Sequence, residues 1–297
     1  MPLHAIVRAL GGDLYDGGLR ASIPAPGHSR RDRSVSLLWS NGRLIVHSFG
    51  EADWREVRDQ LRALRLIAPT EEALAEPAPR SRLAPEPRVA IASRLWAEAR
   101  PIGGTLAERH LRLRHIHRDL PDALRFHPAA PLAVYAGGRT AKPALVAAIT
   151  EPSGRLTAVE ITYLDTSGRR AETLRLSRKT IGVVPRGSAV RLDDAARTLV
   201  VAEGVATALS AAEQLQAPVW ALLSAGNLAA WSPPPGVRAV LIAGDRGRPG
   251  ERAAAALSAR LQGLGVLSRV TLPPSPFGDW NEAAGAEGEG QGGRGRA

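Results

Sequence analysis

From Thr198 onward the chain carries short apolar runs without alternation, at 198–202, 219–223, 239–243 and 267–272. Between them lie stretches with helical apolar spacing at 206–214, 226–231 and 250–264. Short runs of this kind are strands buried on both faces, and a helix after each one gives a parallel sheet flanked by helices, an α/β fold. In such sheets ligands collect at the carboxyl ends of the strands.

Upstream the rhythm differs. Residues 34–39 and 44–49 alternate apolar and polar around Asn41-Gly42, a turn dipeptide, and predict a hairpin. A helix over 53–66 follows, with Trp54, Val57, Leu61 and Leu64 on one face. Amphipathic helices at 90–98 and 105–114 then precede strands near 144–150, 156–164 and 172–176. Pro152-Ser153-Gly154 and Asp165-Thr166-Ser167-Gly168 supply turns between those strands, so 91–195 is an α+β unit. Residues 68–90 hold five prolines among alanine, glutamate and arginine and read as an extended linker. The glycine-rich, charged stretch 285–297 reads as a disordered tail. The organisation is therefore a small hairpin-plus-helix unit at 1–67, a linker at 68–90, a basic unit at 91–195, an α/β domain at 196–284 and a tail at 285–297.

Composition narrows the chemistry. The 297 residues are 44% hydrophobic and 23% charged, ordinary for a globular protein of more than one domain. There are no cysteines, which excludes disulfides, thiolate catalysis and every Cys-based zinc or iron–sulfur site. No apolar run approaches the roughly 18 residues of a membrane helix, and the first residues lack the apolar segment of a signal peptide, so the expected location is cytoplasmic. The net charge is +10, and the segment 91–195 holds 17 basic against 10 acidic residues. A concentrated basic stretch is the electrostatic footprint of a polyanion partner. All but Lys142 and Lys179 of the basic residues are arginine, which genomic base composition explains as well as selection for phosphate forks.

Two acids fall at strand ends. Glu203 follows Leu199-Val200-Val201-Ala202 and precedes Gly204; Asp245 follows Val240-Leu241-Ile242-Ala243-Gly244. If their strands are neighbours, both carboxylates converge within reach of one divalent cation, a hard ion that takes oxygen ligands. Asp279, in Gly278-Asp279-Trp280-Asn281-Glu282, is the third candidate. An acid after a strand is commonly a helix N-cap or turn former; three in this order, with glycine beside the first, point to a site.

At these residues the sequence resembles the Toprim domain of primases and topoisomerases. The segments Ala202-Glu203-Gly204-Val205-Ala206-Thr207 and Leu223-Ser224-Ala225-Gly226-Asn227-Leu228, with the Pro273-Pro274 to Asn281 ending, look like primase-type Toprim proteins of phages, plasmids and other mobile elements. The resemblance covers about 196–284. It implies Glu203, Asp245 and Asp279 as catalytic residues and as ligands of Mg²⁺ or Mn²⁺. One position departs from it: the family's Asp-x-Asp reads Asp245-Arg246-Gly247 here, which removes a ligand and a negative charge, and Arg246 and Arg248 stand beside it.

The resemblance continues upstream, to the basic polymerase subdomain that bacterial primases carry ahead of Toprim. Ala107-Glu108-Arg109-His110-Leu111 with Arg114 looks like its opening helix, and Gly154-Arg155 and Ser177-Arg178-Lys179-Thr180 follow in the same order. It implies that Arg114, Arg155, Arg178 and Lys179 contact nucleoside triphosphate or template phosphates, as charge-assisted donors do. Segment 1–67 resembles the zinc ribbon with which such primases begin, with its ligands lost: Ala25, Ser48 and Glu51 stand where thiolates would, and only His28 of the four remains. No zinc is expected. His28, His47, His115 and His117 read as structural or solvated.

The resulting expectation is a primase-like Toprim protein that acts on single-stranded DNA in replication of a mobile element and makes primers from nucleoside triphosphates by metal-dependent nucleotidyl transfer. No phosphate-binding G-x-x-x-x-G-K-[ST] loop occurs, so a replicative helicase would be a separate chain. The alternative is a catalytically impaired Toprim protein that serves as a nucleic-acid-binding accessory factor, favoured by Gly247 and the lost zinc ligands. A Toprim nuclease is the third reading, for which the polymerase-like segment is an odd companion.

Overall fold

The computed structural model describes residues 2–30, 32–40, 42–48, 53–67, 73–75, 84–135, 140–174 and 176–292, and the chain falls into two compact units, 1–82 and 83–297.

The first unit is larger than a hairpin with a helix. Helix α1 (Pro2–Leu10) buries Leu3 and Ile6, and strands β1 (Asp13–Tyr15) and β2 (Arg20–Ile23) extend the expected hairpin of β3 (Val35–Ser40) and β4 (Arg43–Ser48). Helix α2 (Trp54–Ala63) is capped by Asp53, whose carboxylate accepts from the Arg55 N–H. It buries Val57 and Leu61, while Leu64 past its end is half exposed. Strand β5 (Ala73–Ala75) pairs parallel with β4, inside the segment read as linker. The sheet order is β1-β2-β3-β4-β5. Strands β1 and β2 escape a sequence reading because three or four residues are too few to show a period of two. Gly12, at φ 130°, lets the chain pass where a Cβ would lie 2.3 Å from the Ser22 carbonyl.

The second unit opens with α3 (Pro85–Glu98), which starts within the presumed linker because Pro85 is pre-set for the first helical turn and Glu86 favours it. Strand β6 (Arg100–Pro101) and α4 (Leu106–Arg112), capped by the Thr105 hydroxyl, follow. Then come β7 (Leu124–Pro131), β8 (Ala141–Thr150), β9 (Leu156–Tyr163) and β10 (Arg178–Gly182), an antiparallel sheet in the order β10-β9-β8-β7-β6. Strand β7 is hidden in the sequence by Pro128 and Pro131, which the fold accommodates with a register shift between His127 and Ala130. Of the strand expected over 172–176, residues 172–174 are instead a turn closed by Leu174 N–H on the Ala171 carbonyl and residue 175 lies outside the described ones; pairing is present at Arg178 opposite Thr162.

The last sheet has the order β11-β13-β12-β14-β15, from β11 (Val190–Arg191), β12 (Thr198–Ala202), β13 (Val219–Ala221), β14 (Ala239–Ala243) and β15 (Leu267–Thr271). All pairs are parallel except β11 with β13. The helices are α5 (Val205–Leu215), α6 (Ala225–Ala230), α7 (Arg248–Gly263) and α8 (Trp280–Gly292). Helix α8 continues into the stretch read as a disordered tail: its first turn is anchored by buried Trp280, Asn281 and Ala283, and residues 293–297 lie outside the described ones. One apolar core runs from Leu111, Leu124 and Ile149 of the antiparallel part into Val200, Leu209 and Trp280 of the parallel part. Among the described residues, no helix is long and apolar enough to cross a membrane.

Candidate active site

Strands β12 and β14 are parallel neighbours with Ala202 opposite Ala243, so Glu203 and Asp245 leave the same edge of the sheet one and two residues further on. Asp279 reaches that edge because Trp280 Nε1 donates to the Gly244 carbonyl (3.2 Å), tying the start of α8 to the end of β14. Asp279 also caps α8: its Oδ1 accepts from the N–H groups of Asn281 and Glu282, both at 2.8 Å, while Glu282 reaches back to Gly278 N–H (2.8 Å). The capping reading of Asp279 holds, and it leaves the carboxylate lone pairs for a site role.

Like charges crowd around Asp245. Burial, then the charges of Asp279, Glu203 and Glu282, push the Asp245 carboxyl up to about 7. Asp245 Oδ1 is buried without a hydrogen-bond partner among the described residues. Hard oxygen donors, an orphaned carboxylate oxygen and mutual repulsion fit a divalent cation such as Mg²⁺ or Mn²⁺. Among the described residues, though, no three acidic or histidine side chains are gathered closely enough to hold a metal, so the carboxylates surround the Asp245 position without closing on it.

Arg246 does not crowd this cluster. Its guanidinium donates to the Pro273 carbonyl (3.1 and 2.8 Å), and its N–H to Gly278 O (2.7 Å). Gly247 sits at φ 116°, ψ 152°, ahead of α7, a backbone region that glycine alone occupies comfortably. The missing aspartate thus coincides with a backbone shaped for glycine.

The four basic candidates separate. Arg114, just past α4, is drawn electrostatically toward Asp279 and lies near Arg170 and Arg178; burial pushes its pKa down, and its Nε has no partner among the described residues. Arg178 on β10 points to the same side, 4.0 Å from Glu160 of β9. Lys179, one residue on, faces the opposite side of the sheet, as strand geometry requires. There its Nζ donates to Leu132 O (2.6 Å) and lies 5.0 Å from the Tyr163 ring, and burial lowers its pKa. Arg155 pairs with Glu151 across the β8–β9 turn (2.8 Å) and lies seven residues from Thr162 along β9, roughly 23 Å at about 3.3 Å per residue. Arg114 and Arg178 thus meet beside the acidic cluster; Lys179 and Arg155 do not.

Three further residues complete the arrangement. Glu282 joins the acids, and Arg170 and Glu160 join the arginines in a cavity between the antiparallel sheet and the start of α5. Glu160 had one sequence signal, an isolated acid in the apolar run 156–164; Glu282 stands three residues after Asp279, where with Glu251 it is a candidate to replace the aspartate lost at Gly247; Arg170 had no signal that distinguishes it from surface charge. In the first unit, Ala25 is buried, Ser48 ends β4, His28 lies beside Asp32 (3.3 Å), and Glu51 falls outside the described residues.

Residues 198–290 match the family described as Toprim domain, and residues 86–192 match a domain of unknown function (DUF7146). The parallel α/β part of this chain is a Toprim domain. No curated protein matches the sequence. Among solved structures, the chain is similar to the primase fragment of the bacteriophage T7 primase-helicase protein (16% identity, 57% of this chain and 64% of that one, TM-score 0.39). It therefore spans less than two thirds of that fragment. It is similar also to the zinc-binding and RNA polymerase domains of the Aquifex aeolicus primase (13%, 98% and 81%, TM-score 0.46) and to the E. coli primase catalytic core (15%, 69% and 79%, TM-score 0.45).

Proposed function

We propose that this chain is a primase-type nucleotidyltransferase that builds primers on single-stranded DNA in the replication of a mobile element. The observation that carries the reading is the meeting of opposite charges: Arg114, with Arg178 near it, lies within electrostatic reach of Asp279, and Asp279, Glu203 and Glu282 crowd the buried Asp245 carboxyl. Arginines bind phosphates, and carboxylates that crowd one another at a sheet edge are relieved by a divalent cation. Mg²⁺ or Mn²⁺ held by Glu203, Asp245 and Asp279 would supply charge neutralisation at the reacting phosphate and a more nucleophilic primer hydroxyl. Asp279 has its position fixed by the α8 cap, and Asp245 by Trp280 packing at the strand end. Arg114 and Arg178 orient the phosphates of template or nucleotide, so positioning supplies much of the effect. Residues 91–195 would form the nucleic-acid-holding subdomain, 196–284 the catalytic one and 1–67 a metal-free relic of a zinc ribbon; a helicase would act from a separate chain in the cytoplasm.

The test is primer synthesis by the full chain with single-stranded DNA, labelled nucleotides and Mg²⁺ or Mn²⁺. Metal-dependent product that disappears in Glu203→Ala and in Asp245→Ala supports the reading; product that persists in both overturns it. Gly247 favours a second reading, a nucleic-acid-binding accessory protein without polymerisation. It predicts salt-sensitive single-strand binding by wild type and no product with either metal.

A further inference from the structure

The proposed chemistry leaves one group without a task. Glu160 is the only acid in the β9 run 156–163, its side chain is 14% exposed, and its ion-pair partner is Arg178 at 4.0 Å, beyond hydrogen-bond length. It faces a cavity whose charged lining is Arg114, Arg170 and Arg178. Arg170 and Arg178 are exposed at the rim, Arg114 is half-buried, and the floor is apolar, from Leu145, Ala147 and Val205. Three guanidiniums around a recess, one with an unpartnered Nε, ask for an anion. A buried carboxylate in the same recess repels that anion when ionised, and donates a hydrogen bond to it when protonated.

We infer that this cavity takes a phosphate of a polyphosphate ligand and that Glu160 binds a proton as the phosphate enters, acting as a proton-linked selectivity residue. The inference rests on the nucleotide-binding part of the proposed function and extends it to a residue and a coupling. Burial already raises the Glu160 pKa, which lowers the cost of that protonation. The other titratable side chain in the recess is His110 of α4, whose Nδ1 donates to the Gly168 carbonyl (2.9 Å) and whose pKa burial lowers. The remaining polar group is the Thr162 hydroxyl, which does not titrate. His110 already spends one ring nitrogen on that carbonyl, so Glu160 is the acceptor of the extra proton.

The test is binding of inorganic triphosphate to the full chain, without DNA or nucleotide, so its outcome does not depend on primer synthesis. The readout is the ratio of wild-type to Glu160→Gln affinity, in which the ligand's own titration cancels. Glutamine keeps the shape and always offers a donor, so Glu160→Gln is expected to bind about tenfold more tightly than wild type at pH 8.5 and within twofold at pH 5.5. Calorimetry in buffers of different ionisation heat should show greater proton uptake by wild type than by Glu160→Gln at pH 7, and Arg114→Ala should lose binding at both pH values. Weaker binding by Glu160→Gln throughout would mean that Glu160 only holds Arg178 in place, and overturns the inference. Equal affinity at both pH values, a wild-type to Glu160→Gln ratio that no longer depends on pH once His110→Gln is present in both, or no triphosphate binding by wild type would overturn it too, while leaving the primer assay to judge the proposed function separately.

Discussion

Asn281, in the first turn of α8, donates from Nδ2 to the backbone carbonyl of Arg114 at 2.6 Å. The same amide nitrogen lies 3.0 Å from the Ser210 hydroxyl of α5. One buried side chain therefore fixes the helix that Asp279 caps, the helix that follows Glu203, and the backbone of Arg114, the arginine proposed to bind phosphate. Asn281→Leu leaves the Arg114 carbonyl and the Ser210 hydroxyl unpaired, and the expected loss of stability is about 1–3 kcal/mol, read from denaturant unfolding. Unchanged stability would show that water replaces the amide without cost.

Asp245 ties stability to pH. Its folded pKa of about 7 stands above the unfolded value of 3.8, so the native state binds the proton more tightly. The associated stability is complete below about pH 4, declines as pH rises and is gone above about pH 7, with a penalty on the order of 4 kcal/mol at pH 8. Asp245→Asn is expected to raise the melting temperature at pH 8, to leave it nearly unchanged at pH 4, and to abolish primer synthesis. An identical melting curve at pH 8 would show that the neighbouring carboxylates do not strain it.

Gly247 is not a simple vacancy for an aspartate. Nothing lies within 4 Å of a Cβ built there, yet φ is 116°, so any side chain strains the backbone while meeting no obstacle. Gly247→Ala and Gly247→Asp are both expected to lose about 1–3 kcal/mol, equal within error, in equilibrium unfolding. A stable Gly247→Asp with tighter Mg²⁺ binding would mean that the loop relaxes to the family's geometry.

The first unit should be indifferent to chelators. The Asp32 carboxylate accepts from Ala25 N–H (2.9 Å) and from the Ser34 hydroxyl (2.5 Å), with His28 Nδ1 at 3.3 Å. These bonds gather the loop where the resemblance would put a zinc ion. Asp32→Ala is expected to destabilise the unit by about 1–3 kcal/mol, and EDTA to leave its melting unchanged. A melting shift with EDTA would reveal a bound metal.

The legible parts of the sequence were those where packing follows a local period. Strands 198–202 and 239–243 fall where their unbroken apolar runs put them, because both faces of a parallel strand are buried and no alternation is needed. The convergence of Glu203 and Asp245 followed from that, given adjacent strands. What stayed hidden depends on contacts between distant residues. The prolines of β7 argue against a strand until a register shift receives them, and Ser177-Arg178-Lys179-Thr180 looks like a basic turn until β9 pairs with it. Pairing also divides its two cations: Arg178 goes to the site, Lys179 to a carbonyl and an aromatic face. No property of the sequence alone separates them, since the division depends on which face the neighbouring helix covers.

Strand β11 has a consequence for how this protein can be divided or inherited. It lies before the Toprim match yet hydrogen-bonds to β13, and the next turn supplies Asp193, which accepts from Val219 N–H (2.9 Å), pairs with Arg118 and receives Trp220 Nε1 on its carbonyl (2.9 Å). A cut at 195 would strip the Toprim sheet of an edge strand and leave a tryptophan without its acceptor. The two family segments are therefore one heritable piece, and recombination that exchanged either alone would deliver a fragment with its core open to water.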